Sequence, residues 1–383
     1  MRYLCSGESH GPQLTAIIEG VPAGLLLTEE MINKDLKLRQ QGYGRGDRMK
    51  IESDQVQITS GVRHGMTLGS PITLVIKNKD NKNWSEVMAI EPIPSLEYDI
   101  KKVPRPGHAD LVGAMKYGHR DLRNVLERSS ARETAIRVAV GAVAKQILAA
   151  LGIEVLSHVL QIGKVSIGET HLSFDEIKEA IQESPVRCVD PIVSAKMCAH
   201  IDDAKKQGDS VGGIVQVLAK NVPPALGTYV QFDRKLDAKI AAAFIGVQLV
   251  KGVYFGDAML SSSSFGSEVH DQIAYDQGFI RTSNHYGGFE GGMTNGMPLV
   301  VHAMIKPIPT LYQPLNSIHI ETKKVEKSMI ERSDSCVVPA AGIVLESVLA
   351  VELAREILEE FGSNQMSNLV EAMNRHRQAM RDF

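Results

Sequence analysis

The chain has 383 residues, of which 43% are hydrophobic and 23% are charged, so it is long enough to bury a substantial core. Its formal net charge of −3 gives it no overall attraction to nucleic acid or to an anionic membrane. Four cysteines without C-x-x-C spacing, no signal-like N-terminal segment and no apolar run of membrane-spanning length predict a cytoplasmic protein with reduced cysteines, no structural zinc and no nucleic-acid or membrane partner.

The first candidate functional element is Gly7-Glu8-Ser9-His10-Gly11-Pro12, a polar turn that holds a histidine. It precedes the run 14–22, which is typical of a strand ended by glycine and proline. Histidine on such a loop suits proton transfer near neutral pH, because the ordinary pKa of its side chain is about 6.5. His10 is therefore a candidate acid–base residue. The alternative is a solvated turn histidine.

A basic, glycine-rich segment follows a predicted helix. Thr28 is placed as the N-cap of this helix, which extends to Arg39. Residues 37–50 then include Arg39, Arg45 and Arg48 with a single acidic residue. Arginine forms bidentate pairs with phosphate and carboxylate oxygens. Three interpretations stay open: a site for a small anion, a solvated loop, or an RNA-binding patch.

A second histidine lies in Pro104-Arg105-Pro106-Gly107-His108-Ala109-Asp110. Two prolines stiffen this turn, and Gly107 permits an unusual backbone angle just before His108. The pattern favours an imidazole aimed at a site, with Asp110 as a candidate partner of the ring. The alternative is a proline-rich linker with an incidental histidine.

Two later segments resemble each other, since residues 127–134 and 331–336 both open with Glu-Arg-Ser. Each leads into a helix of small apolar residues, predicted to be buried against sheets and to end near Gly152 or Gly362. The helix N-termini carry hydroxyl groups, an arginine and the positive end of the helix dipole, which favours anionic groups. We expect a single domain, residues 1–383, with an internal sheet-plus-helix duplication. The alternative is that serine and arginine only cap core helices.

The remaining predicted elements are polar helices over 173–182 and 195–207, a strand over 211–219, a long apolar helix over 233–250 and a strand over 299–305. Residues 284–296 include five glycines, and such a loop usually exists to wrap a flat or anionic ligand. Lys306-Pro307-Ile308-Pro309-Thr310 is rigid because of its prolines.

Rossmann, P-loop and H-E-x-x-H patterns are absent, which disfavours hydride transfer, nucleotide hydrolysis and zinc-dependent hydrolysis. The remaining candidate groups are two histidines in stiff turns, Asp334 beside an Arg-Ser pair, several arginines and glycine-rich loops. That set suits acid–base elimination or isomerisation of a phosphorylated, carboxylated metabolite.

Three long motifs resemble the chorismate synthase family: Gly7 to Pro22, Glu127 to Val143 and Arg332 to Val348. The Gly-Tyr-Gly-Arg-Gly, Arg-Pro-Gly-His-Ala-Asp, Gly-Gly-Phe-Glu-Gly-Gly-Met-Thr-Asn-Gly and Lys-Pro-Ile-Pro-Thr stretches also fit, so the resemblance covers essentially the whole chain. It implies an α+β fold, a β-α-β sandwich with long central helices between antiparallel sheets. It also implies a homotetramer of the monofunctional, bacterial type.

The resemblance further implies conversion of 5-enolpyruvylshikimate 3-phosphate to chorismate and phosphate by a 1,4-anti elimination, the last common step of aromatic amino acid biosynthesis. Reduced FMN (FMNH2) would be required without net redox change. His10 would protonate the departing phosphate and His108 would set the protonation of the flavin. Asp334 would assist proton removal at flavin N5, which takes the substrate's C6 proton. NADPH would act only as an indirect reductant, through an external flavin reductase.

The same resemblance implies two further sets of site residues and no metal. The set for anionic groups of the substrate, or of NADPH, is Arg39, Arg45, Arg48, Arg105 and Arg132. The flavin-binding set is Arg128, Ser129, Ser130, Gln248, Leu249, Gly291, Lys306, Pro307, Ile308, Pro309, Thr310 and Arg332.

Two positions depart from the family pattern. Gln248-Leu249 stands where the family usually has Asn-Ala, which is expected to alter flavin affinity, and Ser335 replaces a usual proline, which is expected to loosen the turn after Asp334. Two rival functions remain. One is a flavin- or anion-binding regulator without catalysis, and the other is an RNA-binding protein that uses the Gly-Arg loop.

Overall fold

A computed structural model of the chain describes residues 1–46, 53–168, 172–331 and 333–383. The strands are β1 (Arg2–Ser6), β2 (Gln13–Glu19), β3 (Val56–Ser60), β4 (Val62–Arg63), β5 (Met66–Thr67), β6 (Ile72–Lys77), β7 (Glu154–Ile162), β8 (Val165–Ser166), β9 (Gly213–Lys220), β10 (Val250–Phe255), β11 (Ile273–Tyr275), β12 (Phe279–Arg281), β13 (Phe289–Glu290), β14 (Met293–Thr294), β15 (Leu299–Ile305), β16 (Asn316–Ile318) and β17 (Val325–Lys327).

The helices are α1 (Glu29–Gln40), α2 (Asp110–Tyr117), α3 (Arg123–Ser129), α4 (Thr134–Ala150), α5 (Phe174–Ala180), α6 (Pro191–Lys206), α7 (Leu236–Ile245), α8 (Ala258–Ser261), α9 (Gly266–Val269), α10 (Val338–Phe361) and α11 (Met366–Asp382). Short 3-10 helices occupy Lys79–Asn83, Ala131–Glu133 and Phe232–Arg234.

Two antiparallel sheets form the outer layers of the fold. The first has the strand order β1-β2-β6-β3 and the second has the order β10-β15-β9-β7-β8. Along β2 the buried residues Leu14, Ala16 and Ile18 alternate with exposed or half-buried ones, because successive side chains of a strand point to opposite faces. The buried face of each sheet therefore meets the helical layer.

The long helices α4 and α10 lie between the sheets and pack against each other, and α1 packs against α4. The helix α4 contacts β2 and β6, and α10 contacts β7 and β9. Small residues allow this close approach. A Cβ atom added to Gly141 would lie 2.2 Å from the Ser347 Cβ, and one added to Gly342 would lie 2.6 Å from the Ser157 Oγ. The predicted sandwich of central helices between antiparallel sheets is confirmed.

A buried ion-pair network crosses the helical layer. Glu346 on α10 pairs with Lys145 on α4 at 2.8 Å and with Arg187 at 2.9 Å, and it accepts hydrogen bonds from the backbone and the hydroxyl of Ser157 at 2.8 and 2.7 Å. Burial alone would raise the pKa of Glu346, but Lys145 and Arg187 hold it below its usual value. Lys145 also pairs with Asp35 on α1 at 3.3 Å, so the network joins α1, α4, α10 and β7.

A polar row runs across the second sheet. His158 on β7 bonds through Nε2 to the Gln216 Oε1 on β9 at 2.7 Å, and the Gln216 amide nitrogen lies 2.8 Å from the His302 Nε2 on β15. Tyr254 on β10 stacks on the His302 ring at 4.3 Å. Both histidines are buried, at 0% and 5% exposure. Burial lowers the pKa of His158 and lowers that of His302 to about 4.

Several predicted elements are confirmed at their ends. The helix α1 begins after Thr28, whose hydroxyl accepts from the Met31 backbone at 3.3 Å. The helix α5 has the predicted capping box between Ser173 and Glu176. The helix α10 ends at Phe361, immediately before Gly362, and β15 has the predicted bounds.

Other predicted elements were wrong in extent. The helix expected over 233–250 is only α7, because the chain turns at Gly246 and Val250 already belongs to β10. An apolar run reads equally well as helix or strand, which explains the error. The helix expected over 195–207 begins at Pro191, with Asp190 as its N-cap, and the strand expected over 211–219 is β9. The glycine-rich loop 284–296 contains the short hairpin β13–β14.

Among the described residues, no helix combines the length and the apolar character that crossing a membrane requires.

Candidate active site

A cavity of about 500 Å³ opens where the His10 turn, the start of α10, residues 306–310 and the junction of α3 with α4 meet. Cationic residues dominate the charged groups that line it within the described part of the chain. They are Arg39, Arg45, Arg105, Arg132 and Lys306, against the carboxylates of Glu331 and Asp334. A volume of this size and a cationic lining suit a small anionic ligand.

His10 lies in the turn between β1 and β2 and is 7% exposed. Its Nδ1 atom lies 2.9 and 3.1 Å from the two carboxylate oxygens of Glu127, and its backbone N–H donates to the same carboxylate at 2.8 Å. The amide of Asn81 donates to the His10 carbonyl at 2.8 Å. Because Nδ1 is engaged, Nε2 is the ring nitrogen that can serve a ligand in the cavity.

Glu127, on α3, is 3% exposed and shares its carboxylate with Arg123, whose guanidinium lies 3.0 Å away. Burial alone would raise the pKa of Glu127, but the hydrogen bonds and charge of His10, together with Arg123, hold it below its usual value. The Trp84 ring lies 4.4 Å from the His10 ring and 4.6 Å from the Arg123 guanidinium. Trp84 therefore contacts both of the side chains that share the Glu127 carboxylate.

His108 has an equivalent arrangement. Its Nδ1 lies 2.5 Å from Asp110, which is fully buried, and Arg105 donates to the same carboxylate at 2.8 and 3.0 Å. Burial alone would raise the pKa of Asp110, but the hydrogen bonds from His108 and Arg105 hold it well below its usual range. Arg105 also donates to the Thr310 hydroxyl at 2.9 Å, which links this turn to residues 306–310. The candidate Asp110–His108 contact is present.

Arg39 and Arg132 flank one buried carboxylate, that of Asp54. Arg132 lies 2.6 Å from it and Arg39 lies 3.5 Å from it. Arg39 also donates to the Thr134 hydroxyl at 2.9 and 3.0 Å, and Arg132 donates to the Asn78 side chain at 2.9 and 3.1 Å. Burial lowers the pKa of Arg39 to about 9, which leaves it charged at neutral pH. The group keeps a net positive charge at the cavity wall.

Asp334 and Arg45 face each other at 3.2 Å, and the Asp334 carboxylate also accepts from the Gly46 backbone at 2.6 Å. The next residue, Ser335, donates its backbone N–H to the Gly44 carbonyl at 2.9 Å. A proline has no such N–H group. Ser335 therefore ties the turn after Asp334 to the Gly-Tyr-Gly-Arg-Gly segment through a bond that the usual proline could not make, and the expected effect of this replacement on the turn stays a prediction.

Gln248 and Leu249 line the cavity beside residues 306–310. The Gln248 amide nitrogen donates to Glu133 at 3.0 Å, while its Oε1 is buried without a hydrogen-bond partner in the described part of the chain. Leu249 has a φ of 78°, a left-handed conformation that costs energy for a branched side chain. Lys306 donates to the Gly107 carbonyl at 2.5 Å.

Most residues implied by the resemblance are brought together at this cavity. Those that line it are His10, Arg39, Arg45, Arg105, His108, Ser129, Ser130, Arg132, Gln248, Leu249, Lys306, Ile308, Pro309, Thr310 and Asp334. Arg128, Pro307 and Gly291 do not line it. Arg128 instead donates to the Gly7 and Cys5 carbonyls, and Gly291 lies between β13 and β14. Arg48 and Arg332 lie outside the described residues.

Four lining or supporting residues were not singled out from the sequence: Asp54, Trp84, Glu127 and Glu331. Glu127 lies inside a quoted motif, and Trp84 is the only tryptophan of the chain. Glu331 opens the second Glu-Arg-Ser segment, whereas Asp54 had no signal, because an acidic residue reveals a buried partner only through the fold.

Residues 208–212, Gly-Asp-Ser-Val-Gly, have the G-x-S-x-G spacing of esterase nucleophiles. In esterases the serine lies on a strand-to-helix turn, whereas here α6 precedes the segment and β9 follows it. The Ser210 hydroxyl is buried and donates to the Ile308 carbonyl at 2.7 Å. Ser210 therefore supports the wall of the cavity and is not placed as a nucleophile.

Comparison with known proteins points to one family. The chorismate synthase family profile matches residues 1–358. Over the full length of both proteins, the chain is 58% identical to the chorismate synthase of a Geobacillus species, 57% to that of Geobacillus kaustophilus and 56% to that of Enterococcus faecalis. The crystal structure of a chorismate synthase matches with a TM-score of 0.81 at 38% identity, covering 100% of this chain and 98% of the other.

Proposed function

The chain belongs to the chorismate synthase family, whose members are lyases, and from that premise we propose that it converts 5-enolpyruvylshikimate 3-phosphate to chorismate and phosphate in the presence of reduced FMN. The single observation that carries this proposal is the pairing of two His–carboxylate pairs with five cationic side chains around one cavity. Loss of phosphate needs a proton at the departing oxygen and cations around the anion, and this set of side chains supports such chemistry.

The residues present fit a flavin. Ile308, Pro309, Val337, Ala340 and Val344 give the cavity an apolar wall suited to a flat ring system. The buried Gln248 Oε1, unpartnered among the described residues, can accept a hydrogen bond from an N–H group of such a ring. Gln248, Leu249, Lys306 and residues 308–310 would hold the flavin. When bound, reduced FMN supplies electron density to the substrate without net oxidation or reduction.

The remaining roles belong to side chains of this chain. Arg39, Arg45, Arg105 and Arg132 would bind the phosphate and carboxylates of the substrate. His10 would donate a proton through Nε2 to the departing phosphate. His108 would hold a proton beside the flavin, and Asp334, which lines the same cavity, would accept one. The cavity walls would exclude water from the reacting carbon atoms.

The test is phosphate release from 5-enolpyruvylshikimate 3-phosphate under anaerobic conditions, with chemically reduced FMN. We expect phosphate together with chorismate absorbance, and neither when the FMN is oxidised. Replacing His10 with Gln should lower turnover about 10²–10⁴-fold, the usual contribution of a general acid. Folded, flavin-binding protein that releases no phosphate would contradict the proposal and favour the binding-only regulator.

We also propose a cytoplasmic homotetramer that depends on a separate flavin reductase. Sedimentation of the purified protein measures the assembly.

Mixing the protein with NADPH and oxidised FMN tests the reductase requirement, because vigorous bleaching of the flavin would show that the chain reduces it unaided. Salt-sensitive RNA binding that depends on Arg45 would instead support the RNA-binding alternative.

A further inference from the structure

His10 is held by the carboxylate of Glu127. Both oxygens of Glu127 lie within hydrogen-bond distance of the His10 Nδ1, at 2.9 and 3.1 Å, and the carboxylate also accepts the His10 backbone N–H. An ionised carboxylate only accepts hydrogen bonds, so Nδ1 carries the hydrogen. The ring is thereby fixed in one tautomer with Nε2 directed away from Glu127.

We propose that Glu127 is the positioning residue of His10: its carboxylate fixes the Nδ1–H tautomer and favours the protonated ring, and Arg123 limits this effect by sharing the carboxylate. The use of that proton in phosphate departure rests on the proposed function. The positioning itself does not, because it concerns the protein without substrate.

The balance between the two partners follows from their distances. Arg123 approaches Glu127 at 3.0 Å and Glu331 at 3.6 Å, so its charge is divided between two carboxylates. The interaction of His10 with Glu127 lowers the pKa of that carboxyl group. His10 and Arg123 therefore compete for one carboxylate, whose Oε1 atom lies 2.9 Å from the His10 Nδ1 and 3.0 Å from the Arg123 guanidinium. Removing Glu127 and removing Arg123 should therefore act in opposite directions.

Other charged groups also surround His10. Asp80 lies on the 3-10 helix that packs against the His10 turn, and Glu331, Arg39, Arg45, Arg132 and Asp334 line the same cavity. Apart from Glu331, which Arg123 also approaches at 3.6 Å, these groups contribute equally in all variants of Glu127 and Arg123. A difference in titration between such variants therefore reports the Glu127–Arg123 pair.

The chain provides its own reporter of this titration. Trp84 is the only tryptophan, and its ring lies 4.4 Å from the His10 ring. A cation in contact with an indole face interacts with its π-system, so protonation of His10 should quench Trp84 fluorescence. Excitation at the red edge of the indole band then follows His10 in the flavin-free protein.

The experiment compares pH titrations of Trp84 fluorescence in the wild-type protein and in E127Q, R123Q, H10Q and D257N. We expect the midpoint of E127Q to move to lower pH by about one unit or more, and that of R123Q to move to higher pH by roughly half a unit. H10Q should show no transition. D257N removes a carboxylate from the half-exposed His285 and should keep the wild-type midpoint.

A wild-type midpoint in E127Q, a downward shift in R123Q, or a transition that persists in H10Q would overturn the proposal. If E127Q does not fold, as judged by circular dichroism, the upward shift in R123Q decides the question. A chain that shows these shifts but releases no phosphate would leave the positioning role intact and contradict only the proposed function.

Discussion

The cavity histidines His10 and His108 each contact a carboxylate, but one contact is long-range in the sequence and the other is local. Asp110 lies two residues after His108, so the turn itself brings the two side chains together. Glu127 lies 117 residues from His10, so its contact exists only when α3 docks against the turn between β1 and β2. The geometry of His108 is therefore local, whereas the geometry of His10 depends on tertiary structure.

Replacing Asp110 with Asn tests how much its charge stabilises the turn. The change leaves Arg105 without a counter-ion in a buried site, so we expect a loss of about 2 kcal/mol or more in the free energy of unfolding. Urea denaturation at pH 7 measures it. The matched control is D257N in the more exposed Asp257–His285 pair, where we expect a change within about 0.5 kcal/mol. Equal losses in both variants would contradict this assignment.

At the residue scale, sequence reasoning found the groups that carry distinctive local chemistry. His10, His108 and Asp334 stand beside glycines, prolines or an Arg-Ser pair, and all three line the cavity. Glu127, which contacts His10, and Asp54, which pairs with Arg39 and Arg132, could not be recognised, because a buried acidic residue is distinguished from a surface one only by the fold.

The contact between α4 and α10 depends on a single small residue. A Cβ atom at Gly141 would lie 2.2 Å from the Ser347 Cβ and 2.5 Å from its Cα, and neither atom can move without shifting α10. The N-terminal residues of α10 also form the apolar wall of the cavity. A substitution that pushes α4 and α10 apart would therefore also displace the apolar wall of the cavity.

Replacing Gly141 with Ala should destabilise the protein by about 1–3 kcal/mol, even though alanine favours a helix by about 1 kcal/mol over glycine. The measurement is the urea midpoint of unfolding. Replacing Ser347 with Gly in the same chain removes the opposing Cβ. The double variant G141A/S347G should therefore lose less stability than the sum of the single changes. Strict additivity would show that the two helices do not meet here.

At the element scale, caps were the most reliable signal. Thr28, Ser173 and Gly362 mark helix ends in the structure as they did in the sequence. Apolar runs were the least reliable, since residues 247–250 continue the apolar character of α7 but lead into β10. A short apolar run without alternation cannot be assigned to helix or strand by periodicity alone.

The polar row on the second sheet makes the stability of the whole molecule depend on pH, because the pKa of a buried histidine differs between the native and the unfolded chain. The pKa of His302 is lowered to about 4 by burial, whereas an unfolded histidine titrates near about 6.5. Between these values the unfolded chain binds a proton that the native chain does not. The stability is therefore full above about pH 6.5 and falls as the pH falls toward 4.

Because the unfolded chain binds this extra proton at His302, we expect the free energy of unfolding to decrease by about 2 kcal/mol between pH 7.5 and pH 5, at fixed protein concentration. The lowered pKa values of Asp110, Glu127 and Glu346 affect stability only at lower pH, below about 4.5. The variant H302Q keeps a hydrogen-bond acceptor for the Gln216 amide but has no titrating group at this position. Its free energy of unfolding should therefore depend less on pH. An unchanged slope in H302Q would assign the dependence to other groups.

At the scale of the molecule, the sandwich of helices between antiparallel sheets was reached through the resemblance and is confirmed. The pairing of strands could not be derived from the residues alone, because β9, β10 and β15 meet across long separations in the chain. The single domain with an internal duplication stays a prediction.

The cavity draws its lining from Ser9 to Val344. During synthesis the first of these residues leaves the ribosome long before the last one is made, and at ordinary elongation rates the interval is on the order of tens of seconds. Throughout that interval the cavity lacks the apolar wall that α10 provides, although its arginines, both histidines and their carboxylates have already been made. A nascent or truncated chain that lacks α10 thus has no closed site, and ligand binding reports that α10 has been made.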